Sequence, residues 1–260
     1  MDDWFSWTYW YVLPYAVFVS VAANASGFSG AVLFQPFFNF ALNLPIHQSI
    51  ATGIATETVG MSSGAARYLS MRKVDLRAAR RLLPAALVGV AVGLVVFSQL
   101  PRDALRLAVG LVVGGIALAQ LDRVRSRCFG TAPSADLDAI GRRRWVSTVA
   151  GSFSACTGTG VAEMHQPLLE QRGGLETKRA NATAILIEAG ADWMITIANL
   201  SMGSIRLDIL VFSATGVLVG AQVGALCSPR LPDRLLKSAF ALCVLGIGTV
   251  YVVTALDRLL

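Results

Sequence analysis

Charge is what this sequence has least of. Only 15% of its 260 residues are Asp, Glu, Lys or Arg, while 55% are hydrophobic and the mean hydropathy is +0.60. A water-soluble domain carries roughly 25% charged residues, so too few are present to coat a soluble surface of this size. Histidine is almost missing, with His47 and His165 alone, which leaves imidazole catalysis poorly supplied. The four cysteines, Cys128, Cys156, Cys227 and Cys243, show no paired spacing and no CxxC. That excludes a disulfide framework and a zinc site of the usual pattern. There is no GxxxxGK[ST] loop and no HExxH pair, so direct ATP drive and zinc-protease chemistry are not expected. No cofactor is called for, no metal site is assigned, and the chain is not expected to be an enzyme. The N-terminus, MDDW, is acidic and lacks a basic leader, so the first apolar segment is expected to stay in place.

What is present is long apolar runs. Residues 82–98, 107–121, 209–226 and 238–256 are essentially uncharged, close to the roughly 20 residues a spanning helix needs. Backbone polar groups in lipid must satisfy one another, so the expected fold class is all-α, a polytopic membrane protein. The net charge of +6 could suggest nucleic acid. The basic residues instead cluster in short loops, as the positive-inside rule expects, and the lipid bilayer rather than nucleic acid is the expected surroundings.

The chain also repeats itself. Shifted by 131 residues, it aligns without a gap: Gly27 falls on Gly158, Gln35-Pro36 on Gln166-Pro167, Glu57 on Glu188, Gly89 and Gly93 on Gly220 and Gly224, and Leu100-Pro101 on Leu231-Pro232. A shared Gln-Pro, Glu and Pro in one register point to duplication. The expected domains are a first repeat over 1–121, a basic cytoplasmic linker over 122–144 and a second repeat over 145–260. Each repeat reads as a broken or hairpin helix segment followed by three transmembrane helices. The broken segments are 4–42, interrupted at 24–30, and 145–170, interrupted at 156–160. The segment RKVDLRAARR, 72–81, carries five basic residues and one acid, which places it in the cytoplasm with the linker. The modest basic excess at 228–237 then favours inverted topology. Parallel repeats remain the alternative, and inversion needs each broken segment to return to the side it entered from.

The breaks carry the chemistry. "NASGFSG" and "SACTGTG" put glycine, serine and threonine where a continuous apolar helix is expected. A helix restarting inside the bilayer aims unpaired N–H groups and a positive dipole end at its middle, which suits an anion. Paired, interrupted segments in two halves are the sequence pointer to a transporter's central site. The candidate substrate-binding residues are therefore Asn24, Ser26, Gly27, Ser29, Gly30 and Gln35 in the first copy. Thr157, Gly158, Thr159, Gly160 and Gln166 are their counterparts in the second. The other reading is that these glycines are packing points or ordinary turns, and that the glutamines hold helices together. Glu57 and Glu188 sit mid-helix, where a carboxylate is expensive and a functional role is the default. They either couple protons to transport or pin helices by hydrogen bonds. Asn181 and Asp192 are weaker candidates. Glu163 and His165 lack repeat partners, since Val32 and Phe34 hold those places. A satisfied histidine is favoured there over a metal site. Cys156 reads as a small packed residue, and GVAVG and GAQVG read as helix-packing faces.

At GFSGAVLFQP, LPIHQSIATG and RKVDLRAARRLLPAALVGVAVG, with the degenerate second copy GTGVAEMHQP, the chain resembles the TauE/SafE sulfite exporter family of bacterial and archaeal permeases. The resemblance covers nearly the whole chain. It implies a secondary transporter in the cytoplasmic (inner) membrane, multi-pass, exporting a small sulfur-containing anion such as sulfite or an organosulfonate. The anion would sit at the helix breaks. An anion channel, or a permease for another small organic anion, is the alternative, and a homodimer stays open.

Overall fold

In the computed structural model, residues 7–125, 136–228 and 233–259 are described. They form eleven α-helices, a 3-10 turn at Trp7–Tyr9 and, among the described residues, no strand. The helices are α1 (Val12–Ser26), α2 (Ala31–Pro36, running on through Phe37–Ala41), α3 (Ile46–Ser70), α4 (Leu76–Gln99) and α5 (Arg102–Arg125). Next come α6 (Leu137–Arg142), α7 (Arg144–Thr157), α8 (Val161–Gln171), α9 (Thr177–Ser201), α10 (Leu207–Cys227) and α11 (Asp233–Leu259). Residues 4–6, part of the expected linker and Leu231-Pro232 lie outside the described residues. The short α6 falls inside the expected linker, capped by Asp136. The amides of Ala139 and Asp138 hold the Asp136 carboxyl below its ordinary range.

Four helical stretches are long and apolar enough to cross a bilayer: Leu76–Gln99, Asp103–Arg123, Leu207–Cys227 and Ser238–Ala255. Their outward faces carry Val88, Val92, Leu111, Leu118, Leu218, Val219, Leu242 and Val250, all exposed. Apolar side chains turned outward along whole helices suit lipid, not water. The chain is a polytopic membrane protein. Helices α3 and α9 are 25 residues each but less apolar, because their buried faces carry threonine, asparagine and acids.

Helices α3, α4 and α5 start at residues 46, 76 and 102, and α9, α10 and α11 at 177, 207 and 233, each pair 131 apart. The packing is unchanged when the two sets are exchanged: α1 lies on α10 and α7 on α4, α3 on α10 and α9 on α4, α2 on α3 and α8 on α9. Helices α5 and α11 pack on each other, as do α3 and α9. Gly89 and Gly93 press against the backbone of Thr148 and Ser152, while Gly220 and Gly224 press against Val17 and Val21. At these positions a Cβ would run into a neighbouring carbonyl, so glycine is what lets the helices touch. Gly89→Ala is expected to destabilise by about 1–3 kcal/mol through overpacking. Gly115→Ala, where a Cβ meets nothing within 4 Å, is expected to be neutral or slightly stabilising. Thermal unfolding of the two variants in detergent checks both.

Direction is fixed by a few bonds. Thr58 and Thr196 share a hydrogen bond of 2.6 Å, and Trp193 Nε1 donates to Ser62 Oγ at 2.9 Å. Advancing along α3 thus moves backward along α9, so the two run antiparallel. Their ends are tied in the same way. The Arg206 amide donates to Thr52 Oγ1 at 3.0 Å, and the Asp75 amide to Thr183 Oγ1 at 2.9 Å.

The broken segments turn back on themselves. Tyr15 Oη donates to the Leu33 carbonyl at 2.8 Å and its ring stacks on Phe37 at 4.1 Å. Helix α2 therefore returns alongside α1. His165 Nε2 meets Ser147 Oγ at 2.7 Å, which brings α8 back beside α7. Helix α1 has 15 residues, about 22 Å of rise, against a hydrocarbon core of about 30 Å. A helix of that length is too short to cross the core by itself. Each hairpin's turn is made by a glycine in the left-handed region, Gly27 at φ 78° and Gly158 at φ 68°, which ends the incoming helix.

Candidate functional site

The two hairpin tips meet. Ser29 Oγ lies 2.8 Å from the Gly158 carbonyl, and Gln35 Nε2 donates to the Thr157 carbonyl at 2.7 Å. Gly27 lies against the side chains of Asn181 and Gln166, and Gly158 against that of Gln35. Each tip thus faces the glutamine of the opposite hairpin. Every candidate from the sequence except Asn24 lies at these tips or packs on them. Asn24 stands one turn back on α1, its Nδ2 donating to the Ser20 carbonyl at 3.1 Å.

The expectation of unpaired N–H groups at the breaks needs correction. They are occupied. Glu57, from α3, accepts the Ser29 hydroxyl at 2.6 Å and the Gly30 and Ala31 amides at 2.5 and 3.1 Å. Glu163, from α8, accepts the Ser29 amide at 2.7 Å and the Gly160 amide at 3.0 Å. The reason is energetic: bare amides in hydrocarbon cost several kcal/mol each, and a carboxylate offers charge-assisted bonds to several at once. The Ser26 and Thr157 hydroxyls are likewise committed, to the Ala22 carbonyl at 2.7 Å and the Phe153 carbonyl at 2.8 Å. Thr159 is fully buried beside Glu163.

Helix α9 adds two more acids. Glu188 and Asp192 stand four residues apart on one face, and their carboxylate oxygens lie within 4.8 Å of each other and of Glu57. Glu57, Glu163, Glu188 and Asp192 are each no more than 3% exposed. Among the described residues, no arginine, lysine or histidine pairs with any of them. The nearest thing to an internal ion pair is elsewhere, Arg123 to Glu170 at 2.6 Å. A small cavity lined by Asn24, Gly30, Phe34, Glu57 and Gly60 has about 10 Å³ of space for water centres, room for about one water. The tips are closed around their acids.

Sequence reasoning passed over Glu163 because it compared the copies, and Val32 holds its place in the first. The local signal was legible: an acid at the third position after Gly160 reaches back to the helix start, as in a capping box. His165 is a satisfied histidine, its Nδ1 at 2.6 Å from the Val161 carbonyl and its Nε2 bonded to Ser147. Cys156 packs, its Sγ at 3.3 Å from the Gly93 carbonyl. GMSSG, 60–64, does have the GxSxG spacing of a serine-hydrolase elbow. It lies in the middle of α3, and Ser62 Oγ is taken by Trp193, so the strand-to-helix turn that such an elbow needs is not there.

The family profile described as Sulfite exporter TauE/SafE matches residues 12–251. The chain belongs to the TauE/SafE sulfite exporter family. No curated protein and no solved structure matches it. The matched region of this TauE/SafE protein takes in both hairpins, all four acids, the long helices α3, α4, α5, α9 and α10, and α11 as far as residue 251. Membership makes it a membrane transporter of the sulfite-exporter type.

Proposed function

We propose that this chain is a secondary transporter that exports a small sulfur-containing anion, sulfite or an organosulfonate, across the cytoplasmic membrane of a bacterium or archaeon. The observation that carries the reading is the meeting of the two hairpin tips inside the bundle, in a chain of the TauE/SafE family. The halves are inverted copies. The antiparallel run of α3 and α9 supports this, as do the equal offsets of their partners. Two hairpins entering from opposite faces and touching at their tips give a site that either side can reach when the halves rock.

Glu57 and Glu163 hold the amides that an oxyanion would use. A carboxylate and a sulfite oxygen are alike as acceptors, so the two acids stand in for substrate in the closed state. Binding then requires Glu57 to let go of the Ser29, Gly30 and Ala31 donors and take a proton, with Glu188 beside it to receive or pass one. Gln35 and Gln166 orient the anion across the tips. Proton coupling at Glu57 and Glu188 follows from that exchange. Arg81, paired with Asp138 at 3.0 Å, lines with Arg142 and Arg144 a groove of about 460 Å³ that stays net basic, a fitting approach for an anion from the cytoplasm.

The test is flux in proteoliposomes. Labelled sulfite should move saturably, with counterflow when unlabelled sulfite is trapped inside, and with competition from sulfoacetate or thiosulfate. Linear flux without counterflow would indicate a channel. Flux of none of sulfite, sulfoacetate, taurine, thiosulfate or sulfate would remove the substrate class. Glu57→Gln is expected to flatten the pH dependence of that flux, and an unchanged profile would remove the coupling role.

A further inference from the structure

The four buried acids do not balance. Glu57 faces three donors and Glu163 two, so each has local compensation. Both oxygens of Glu188, and Oδ2 of Asp192, meet no donor, although these side chains are 0% and 1% exposed. The Ala162 amide opposite Glu188 does not close a hydrogen bond to it. A second observation points the same way. Gln166, fully buried, bonds through neither amide atom, and Asn181 Oδ1 is also without a partner. Both abut Gly27, two residues before the serine that binds Glu57. Asn181 shares one face of α9 with Glu188 and Asp192, at spacings of seven and eleven. Buried polar atoms nearly always have partners, so a group of orphans asks for a reason. Apart from the Gln166 Nε2 donor these orphans are acceptors, and the three carboxylate oxygens of Glu188 and Asp192 are the ones a cation would satisfy.

The spacing suits a metal ion. Oxygens up to 4.8 Å apart are bridged by a cation whose bonds are about 2.3–2.6 Å, as for Ca²⁺ and for Na⁺ of nearly equal radius. Mg²⁺ binds at about 2.0–2.1 Å and sheds water reluctantly. Soft metals prefer thiolate or imidazole, and Cys156 and His165 are committed elsewhere. We propose that Glu57, Glu188 and Asp192 form a binding site for a dehydrated hard cation, Na⁺ or Ca²⁺. The site lies where the hairpin tips meet. It shares Glu57 with the anion site, so ion and anion are read by one carboxylate. That shared role rests on the transport reading; the binding itself does not.

The experiment uses the full chain purified in detergent, at fixed pH and at ionic strength held with choline chloride. NaCl, CaCl₂, KCl and MgCl₂ are titrated while thermal unfolding is followed. A saturable rise in melting temperature with Na⁺ or with Ca²⁺, and not with K⁺ or Mg²⁺, is expected. The cation that saturates names the ion. Asp192→Asn and Glu188→Gln should each weaken the midpoint by about tenfold or more, while Asp103→Asn, at the start of α5, should leave it unchanged. Because a variant can misfold, retention of ²²Na⁺ and ⁴⁵Ca²⁺ by the wild-type protein is measured alongside. Background retention of both with no saturable rise overturns the proposal and leaves protons as the partners of these acids. A midpoint unmoved in both acid variants overturns the ligand assignment. Sulfite flux with no cation binding would sink this site and keep the transport reading; cation binding with no anion flux would do the reverse.

Discussion

Glu163→Leu should be among the most damaging single substitutions in this protein. It removes the acceptor for the Ser29 and Gly160 amides, one on each hairpin tip. An abandoned buried donor costs about 1–3 kcal/mol, so the pair predicts a loss of about 2–6 kcal/mol. Transport should fall with it, because one tie between the tips is lost and the Gln35–Thr157 bond is left to hold them. Glu163→Gln keeps one carbonyl oxygen in place and should lose about half as much. Unfolding curves in detergent read the difference directly. Equal stability of the leucine variant and the wild type would mean that the two amides have other partners, and the carboxylate-held tip would be wrong.

Gly27→Ala is the second. The backbone there is left-handed, which costs a residue with a Cβ about 1–2 kcal/mol. The added carbon would also run into the Asn181 side chain. Together these predict a loss of about 3 kcal/mol and near-complete loss of flux, since the turn places Ser29 and Gly30 against Glu57. The two contributions separate in a double variant. Gly27→Ala with Asn181→Ala relieves the collision and leaves the backbone penalty, so stability should return to within about 1–2 kcal/mol of Asn181→Ala alone. No recovery would mean that the fault lies in the turn and not in the contact with α9.

Much of this arrangement was legible in the sequence. The apolar runs and the scarcity of charge fix the solvent as lipid. The shared register of Gly27 with Gly158 and of Glu57 with Glu188 picks out the breaks and the mid-helix acids. The glycines of GVAVG and GAQVG pack helix on helix as their spacing suggests. What the sequence hid was which groups face each other. Glu163 looked peripheral because its counterpart is a valine, yet it bridges both tips. Asp192 looked incidental, and it lies beside Glu57 and Glu188. Ser26 and Thr157 looked like ligands, and they bond back to their own helices.

From the sequence alone, the solvent of this chain, the position of its breaks and the presence of acids at membrane depth are determined, because hydropathy and backbone freedom are properties of neighbouring residues. Which amide each carboxylate holds, and that the breaks of two distant segments share one set of acids, only the tertiary structure decided. Glu57 takes donors 26 to 28 positions away, and Glu163 reaches Ser29 across 134. Those pairings depend on how antiparallel helices slide and turn against each other, and no local pattern records that.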